Sequence, residues 1–300
     1  MNYSISDLEQ LSGVSAHNIR IWERRYGALT PSRTSGNVRL YDDEQLKRLL
    51  SIAGLYHAGF KISKACALSF EDMAKYLNKE ISAALPAEHR YEYFISQIIN
   101  NALVFDEEAV NTLIAKSFRL NGVVDTYKYV IYPILVRVGM MWLTESLCPA
   151  QEHFLSSIIR QKLFAAIDSV SEPKQNANAR WLLYLPEDED HDIGLLLASY
   201  LLRTAGFRVI YLGAKVPLSA VANTVSVTQP ENLLFFMTRA RPVDDAQAYI
   251  DGLAEKFPQL RIYCSGNRRL LSGIACPQNA IWLETLPDFE QLLTAKSFSK

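Results

Sequence analysis

Five short apolar runs, Trp181 to Leu185, Phe207 to Leu212, Leu233 to Thr238, Arg261 to Ser265 and Ala280 to Leu283, alternate with helical patterns at Ile193 to Thr204, Ser219 to Val227, Asp244 to Lys256 and Asp288 to Leu293. Strands that read as continuous apolar runs are covered on both faces, and alternation with helices leaves a parallel sheet as the way to cover them. The expected architecture is a doubly wound parallel sheet, flavodoxin-like (Rossmann-like) in strand order, with its crevice beside the first and third strands. Ligands bind beyond the carboxyl ends of such strands. There the first run opens into Pro186 to Gly194, an acidic loop that spells Glu189-x-His191-x-x-Gly194 and offers a metal-competent imidazole. A lone loop histidine among Glu187, Asp188, Glu189, Asp190 and Asp192 is also what a plain solvated surface looks like.

The other end of the chain reads differently. Ile5, Leu8, Leu11 and Val14 mark a short helix with Ser6 as its expected N-cap and Gly13 at its turn; a second helix starts at Ser15, with Ile19 and Trp22 facing inward and His17, Asn18, Arg20 and Arg24 outward. Two short helices joined by a Gly-containing turn make a helix-turn-helix, whose second member reads the major groove. Pro31 to Tyr41 then reads as a hairpin wing: Ser35 to Asn37 turn the chain, Val38, Leu40 and Tyr41 anchor the returning strand, and Arg33 and Arg39 face phosphates. Five arginines, Arg20, Arg24, Arg25, Arg33 and Arg39, against three acids, Asp7, Glu9 and Glu23, form the clustered positive footprint that phosphate binding needs. This stretch, with the helix starting near Asp42 to Leu46, resembles the DNA-binding domain of the MerR family of transcriptional regulators over roughly the first 75 residues. The resemblance implies double-stranded operator DNA as a partner.

Between these ends, Tyr91 to Leu103, Glu107 to Asn121 (Ala109, Leu113 and Phe118 inward), Val123 to Leu143 and Pro149 to Val170 carry helical periodicity without strand alternation, which predicts a four-helix bundle. Polar, Pro-containing stretches at Asn78 to Glu88 and Ser171 to Ala179 read as linkers, giving domains at 1–75, 76–175 and 176–300. Trp142 ends the third bundle helix, and Pro149 fits the first turn of the fourth, so Glu152 and His153 stand one turn in. An aromatic plate and a carboxylate–imidazole pair can then face one cleft, although on the residues alone a core tryptophan and a satisfied interfacial histidine are the commoner readings.

Composition narrows the function. A net charge of -1 excludes a general polyanion binder, so nucleic-acid contact has to come from the local N-terminal surface. No basic n-region precedes an apolar segment and no apolar run is long enough to span a bilayer, which predicts a cytoplasmic protein. Cys66, Cys148, Cys264 and Cys276 contain no C-x-x-C pair, arguing against a disulfide framework or a cysteine zinc site; buried small apolar residues are expected.

A bundle with Trp142, nine residues and then Glu152-His153, set between a MerR-like segment and an α/β module with Glu189-x-His191-x-x-Gly194, resembles the cobalamin-binding photoreceptor regulators of the CarH and LitR type. The resemblance implies adenosylcobalamin as chromophore. It assigns His191 as the lower axial ligand of cobalt, displacing the dimethylbenzimidazole tail, with Glu189 orienting it and Gly194 letting the tail pass close to the backbone. It assigns Trp142 to the 5′-deoxyadenosyl group, Glu152 to a hydrogen bond with it, and His153 to cobalt after photolysis. Tyr211 to Pro217, after the second strand, is also similar to this family. Two positions depart from its pattern: Met237-Thr238-Arg239 stands where a serine ends the third strand, with Thr238 as the substitute hydroxyl, and Ser265-Gly266 stands where Gly-Gly follows the fourth. The implied function is a light-responsive repressor that forms a homo-oligomer, dimer or tetramer. The alternative is a MerR-type regulator whose α/β module has lost corrinoid affinity and senses a protein or another ligand. A corrinoid enzyme is not expected, because no segment is left to hold a substrate barrel.

Overall fold

A computed structural model describes residues 2–77, 86–143, 148–170 and 179–298. The linkers expected from the sequence fall largely on 78–85 and 171–178, outside the described residues. The chain divides into two compact units, Met1–Lys162 and Leu163–Lys300.

The first unit begins with β1 (Asn2–Tyr3), α1 (Ile5–Ser12), α2 (Ala16–Tyr26), β2 (Ser32–Arg33), β3 (Arg39–Asp42), α3 (Asp43–His57), α4 (Ile62–Ala67) and α5 (Phe70–Leu77). Ser4, not Ser6, caps α1: its hydroxyl accepts from the Asp7 amide while Asp7 accepts from the Ser4 amide. Ser6 could have formed the same box with Glu9, but Glu9 instead accepts from the Ala16 amide at the start of α2. Gly13 closes α1 in the left-handed conformation, and Ile19 and Trp22 of α2 are buried as expected. The wing forms, with β1 and β2 flanking β3. Val38 does not anchor it; the strand starts at Arg39, and Val38 sits at the turn, 58% exposed, while Tyr41 is buried.

The helical middle comprises α6 (Ala87–Ala102), α7 (Glu107–Thr126), a π-turn at Tyr127–Ile131, α8 (Tyr132–Leu143) and α9 (Pro149–Asp168). The break expected between Asn121 and Val123 falls on Gly122, whose φ of 81° and ψ of 166° interrupt the helix. The inward face of α7 is Val110, Ile114 and Ser117, each the neighbour of an expected position, while Ala109, Leu113 and Phe118 are only half-buried. In α3 a run from Leu49 to Leu55 is buried on all sides. One side of α3 meets α1 and the other meets α6, so closely at Gly54 that an added Cβ would lie 2.3 Å from Gln97 Nε2.

The second unit holds the end of α9 followed by β4 (Arg180–Pro186), α10 (Ile193–Thr204), β5 (Arg208–Val216), α11 (Leu218–Thr228), β6 (Asn232–Met237), α12 (Val243–Lys256), β7 (Arg261–Gly266), α13 (Arg268–Leu271), β8 (Ala280–Trp282) and α14 (Leu286–Phe298). The sheet is parallel in the order β5-β4-β6-β7-β8, the flavodoxin-like order expected from the alternation. Leu182, Tyr184, Phe235 and Ile262 build the core with α11 and α12, and on β4 the alternate residue Trp181 stacks on Tyr263 beside Phe289. β5 runs on through Lys215 to Val216 rather than stopping at Leu212; bulges against β4 and the positive φ of Gly213 let it turn while staying paired. Cys66 and Cys264 are buried as expected, whereas Cys148 is half-buried and Cys276 exposed.

Candidate cobalamin site and DNA-reading face

The loop after β4 is built around a buried carboxylate. Glu189 is fully buried and its Oε1 lies 2.5 Å from His191 Nδ1, while Oε2 accepts from the Thr238 and Arg239 amides at 2.7 Å each. The amides of Asp190 and His191 also donate to Oε1 at 3.2 Å, and Arg241 Nη2 lies 3.5 Å from Oε2. Burial pushes the Glu189 carboxyl up, but the hydrogen bonds from the His191 ring and from the backbone of Arg239, His191 and Thr238 outweigh it and hold the group at about 2. A permanently ionised acceptor at Nδ1 selects the tautomer that keeps its proton there, which puts the lone pair on Nε2.

The rest of the loop is stitched to its neighbours. Lys215 donates its amide to the Glu189 carbonyl and pairs with Asp190 at 3.2 Å; Arg241 pairs with Asp188 at 3.1 Å. Glu189, Asp190 and His191 thus stand close enough to suggest a bare cation site, yet both acids already hold protein donors, and the half-exposed imidazole is the group presented outward. A single oriented imidazole suits one axial position on a metal whose other ligands come from a macrocycle, so the donor set fits cobalamin.

The carboxyl edge of the sheet departs from expectation in its details. Met237 points into the core and Thr238 reaches Glu189 through its amide, not its hydroxyl. Ser265 donates to the Leu283 carbonyl at 2.8 Å. Gly266 has φ 130°, and a Cβ there would lie 2.3 Å from the Met237 carbonyl oxygen, so the ends of β6 and β7 touch through a backbone that no side chain could enter. Gly194 is the second residue of α10. In the first unit, Glu152 and His153 pair at 2.8 Å in the opening turn of α9, with His153 77% exposed. Trp142 lies on α8, and its side chain falls outside the described residues.

On α2, His17, Asn18, Arg20, Arg24 and Arg25 are exposed, and Arg33 in the wing is exposed with its Nη1 on Asn37. Arg39 behaves differently from expectation. Its Nε donates to both oxygens of Glu23, and Tyr41 donates to the same carboxylate, so Arg39 first braces the wing against α2. Burial, followed by Glu23, pushes the Tyr41 phenol up to about 12, keeping it a donor.

Residues 3–68 match the MerR helix-turn-helix regulatory family and residues 94–166 match the B12 binding domain. The chain is 27% identical over 283 residues to the HTH-type transcriptional repressor CarH of Myxococcus xanthus, covering 93% of each. It is a MerR-type transcriptional regulator with a B12-binding domain. The regulator is also 28% identical to the transcriptional repressor CarA of the same organism, over 84% of this chain and 82% of the relative. Its fold is similar to that of the Methanosarcina barkeri monomethylamine corrinoid protein, with a TM-score of 0.53 at 14% identity over 66% of this chain and 96% of the other. B12 domains occur in enzymes too, but these relatives are transcriptional repressors, which is consistent with a non-enzyme. The domain match supports cobalamin as its ligand. Among the described residues no helix is long and apolar enough to cross a membrane.

The sequence singled out Glu189 and His191 but missed the groups that hold them. The Thr238 and Arg239 amides carry no residue signature, and Arg241 is distant in sequence. The order of the strands was the available signal, since it puts the end of β6 beside the loop after β4.

Proposed function

We propose that this regulator is a light-responsive repressor that uses adenosylcobalamin as its chromophore. His191 would be the lower axial ligand of cobalt, oriented by Glu189, with Gly194, Thr238, Ser265 and Gly266 beside the tail. Trp142 and Glu152 would hold the adenosyl group, and His153 would be available to cobalt after photolysis. When bound, the cofactor supplies a cobalt–carbon bond that light cleaves. The single observation that carries the reading is the buried, ionised Glu189 that fixes the His191 tautomer. A carboxylate held by several protein donors at the carboxyl edge of the sheet costs desolvation that a plain surface loop has no reason to incur.

His17, Asn18, Arg20, Arg24 and Arg33 would read or grip operator DNA, with Arg39 holding the wing in place. The protein would act in the cytoplasm as a homo-oligomer, dimer or tetramer, whose assembly differs between dark and light because the adenosyl group stabilises one arrangement over the other.

Reconstitution with adenosylcobalamin in the dark followed by illumination tests this. A bound-corrinoid spectrum and a light-dependent change in operator affinity are expected, and His191→Ala should remove the lower imidazole signature. An unchanged cobalt spectrum in that variant would refute the axial assignment. A second reading, a regulator whose module no longer takes a corrinoid, is favoured by one observation: Met237 buries its side chain where the resembled family has a serine. Titration separates the two, since this reading requires that saturating adenosylcobalamin leave the protein without a corrinoid spectrum.

A further inference from the structure

The turn between α1 and α2 is held by two side chains from the helical middle. Arg137 on α8 donates from Nη2 to both oxygens of Glu92 on α6, at 2.7 and 3.0 Å, and from Nη1 to the Leu11 carbonyl at 3.5 Å. Leu11 lies in the last turn of α1, where unsatisfied carbonyls and the helix dipole favour a cation. The pair presses on the next residues as well: a Cβ added to Gly13 would lie 2.9 Å from Arg137 Nη2 and 2.9 Å from Glu92 Oε2. Its φ of 68° is what favours glycine at position 13, and the closeness of the two side-chain ends shows how directly the ion pair lies on this turn. Both partners are largely shielded, with Arg137 14% and Glu92 30% exposed. Behind them, the ring of His57 at the end of α3 meets His89 of α6 edge-on, and Trp22 of α2 meets Tyr56.

The same α8 carries Trp142, five residues beyond Arg137, about 7.5 Å along the helix axis. We propose that the Arg137–Glu92 pair is the coupling contact of the regulator, fixing the helix-turn-helix to the helix that bears Trp142 so that the position of α8 sets the pose of α2. The proposal rests on the ligand reading above for what moves α8. Its geometry is independent of that reading. One nitrogen, Nη2, serves both oxygens of Glu92 while Nη1 serves the Leu11 carbonyl, so a shift of about an ångström in α8 would weaken the contact steeply. The pair is a positioning element, separate from the residues proposed to grip DNA or hold the ligand.

The test uses the full chain with Glu92→Gln, Arg137→Ala and Arg137→Lys. Operator affinity is measured with and without adenosylcobalamin in the dark, alongside the bound-corrinoid spectrum and hydrogen exchange of the amides from Leu11 to Val14. For Glu92→Gln the spectrum and the ligand-free operator affinity should match wild type, while the ratio of affinities with and without ligand falls roughly fivefold or more toward one. Arg137→Lys, which keeps the charge but not the fork, should retain part of the ratio. An unchanged ratio in both Glu92→Gln and Arg137→Ala overturns the proposal. If wild type takes no corrinoid, the ligand reading fails alone, and a double-mutant cycle decides the coupling. Trp142→Ala should then alter exchange at Leu11 to Val14 in the wild-type background and not in Arg137→Ala; equal effects in both backgrounds refute it.

Discussion

Two carboxylate–imidazole pairs in this chain look alike on paper and differ in construction. Glu189 and His191 are two residues apart in a loop, and the carboxylate is fully buried under four backbone amides, its imidazole and Arg241. Glu152 and His153 are adjacent on the first turn of α9, with Glu152 31% exposed and His153 77%. The first pair is over-determined, so its imidazole holds one tautomer and one direction before any ligand arrives. The second is a surface contact that solvent competes for, and it can be remade at little cost. Under the proposed function, a permanent axial ligand would need the first construction, and a group that engages only after photolysis would be better served by the second.

The largest break in this comparison is Glu189→Ala. It leaves the Thr238 and Arg239 amides and Arg241 facing a cavity, and should lower the stability of the second unit by about 3 kcal/mol in denaturant unfolding. Corrinoid affinity should fall by roughly 10- to 100-fold with it.

Acid is the next lever. Glu189 is held at about 2 in the folded protein against its ordinary 4.5, so its contribution is fully present above the ordinary value and is lost as pH falls from there toward 2. The full contribution is roughly 3 kcal/mol, of which about 2 is lost by pH 3. Unfolding midpoints between pH 6 and pH 3 should show this acid limb in wild type and a flatter one in Glu189→Gln; parallel curves would mean that Glu189 is not the titrating group.

A smaller effect is expected from Arg241→Met, which keeps the stem and removes two ion pairs, one of them to exposed Asp188. Stability should drop by about 1 kcal/mol, with the His191 tautomer, read by nitrogen chemical shifts, unchanged because the backbone amides still hold Glu189. Glu152→Gln closes the series. Its stability cost in denaturant unfolding should stay below about 0.5 kcal/mol.

These contrasts also explain what the sequence made legible. The parallel sheet was readable because the five runs are mainly apolar and alternate with helical patterns that can cover both faces. The helix break was readable at Gly122 because the pattern lapses there. The Glu189-x-His191 loop was visible as a spacing, but its strength was not, since that strength comes from backbone amides fifty residues away. Local signals misled where two sites competed for one donor set. Ser4 and Ser6 both offered a cap, and the choice turned on Glu9 being taken by α2. Arg39 read as a phosphate contact because charge is visible in sequence and its partner Glu23, sixteen residues earlier, is not.

The burial of α3 on both sides bears on how such regulators can be rebuilt. Its run from Leu49 to Leu55 leaves no solvent face, and Gly54 lies against Gln97, whose buried side chain would have to shift to admit a methyl group. The DNA-reading head is consequently a poor cassette. Grafted onto a foreign sensor it would carry a bare apolar flank, and any chimera intended to fold should bring α6 along with it, or redesign the flank for water.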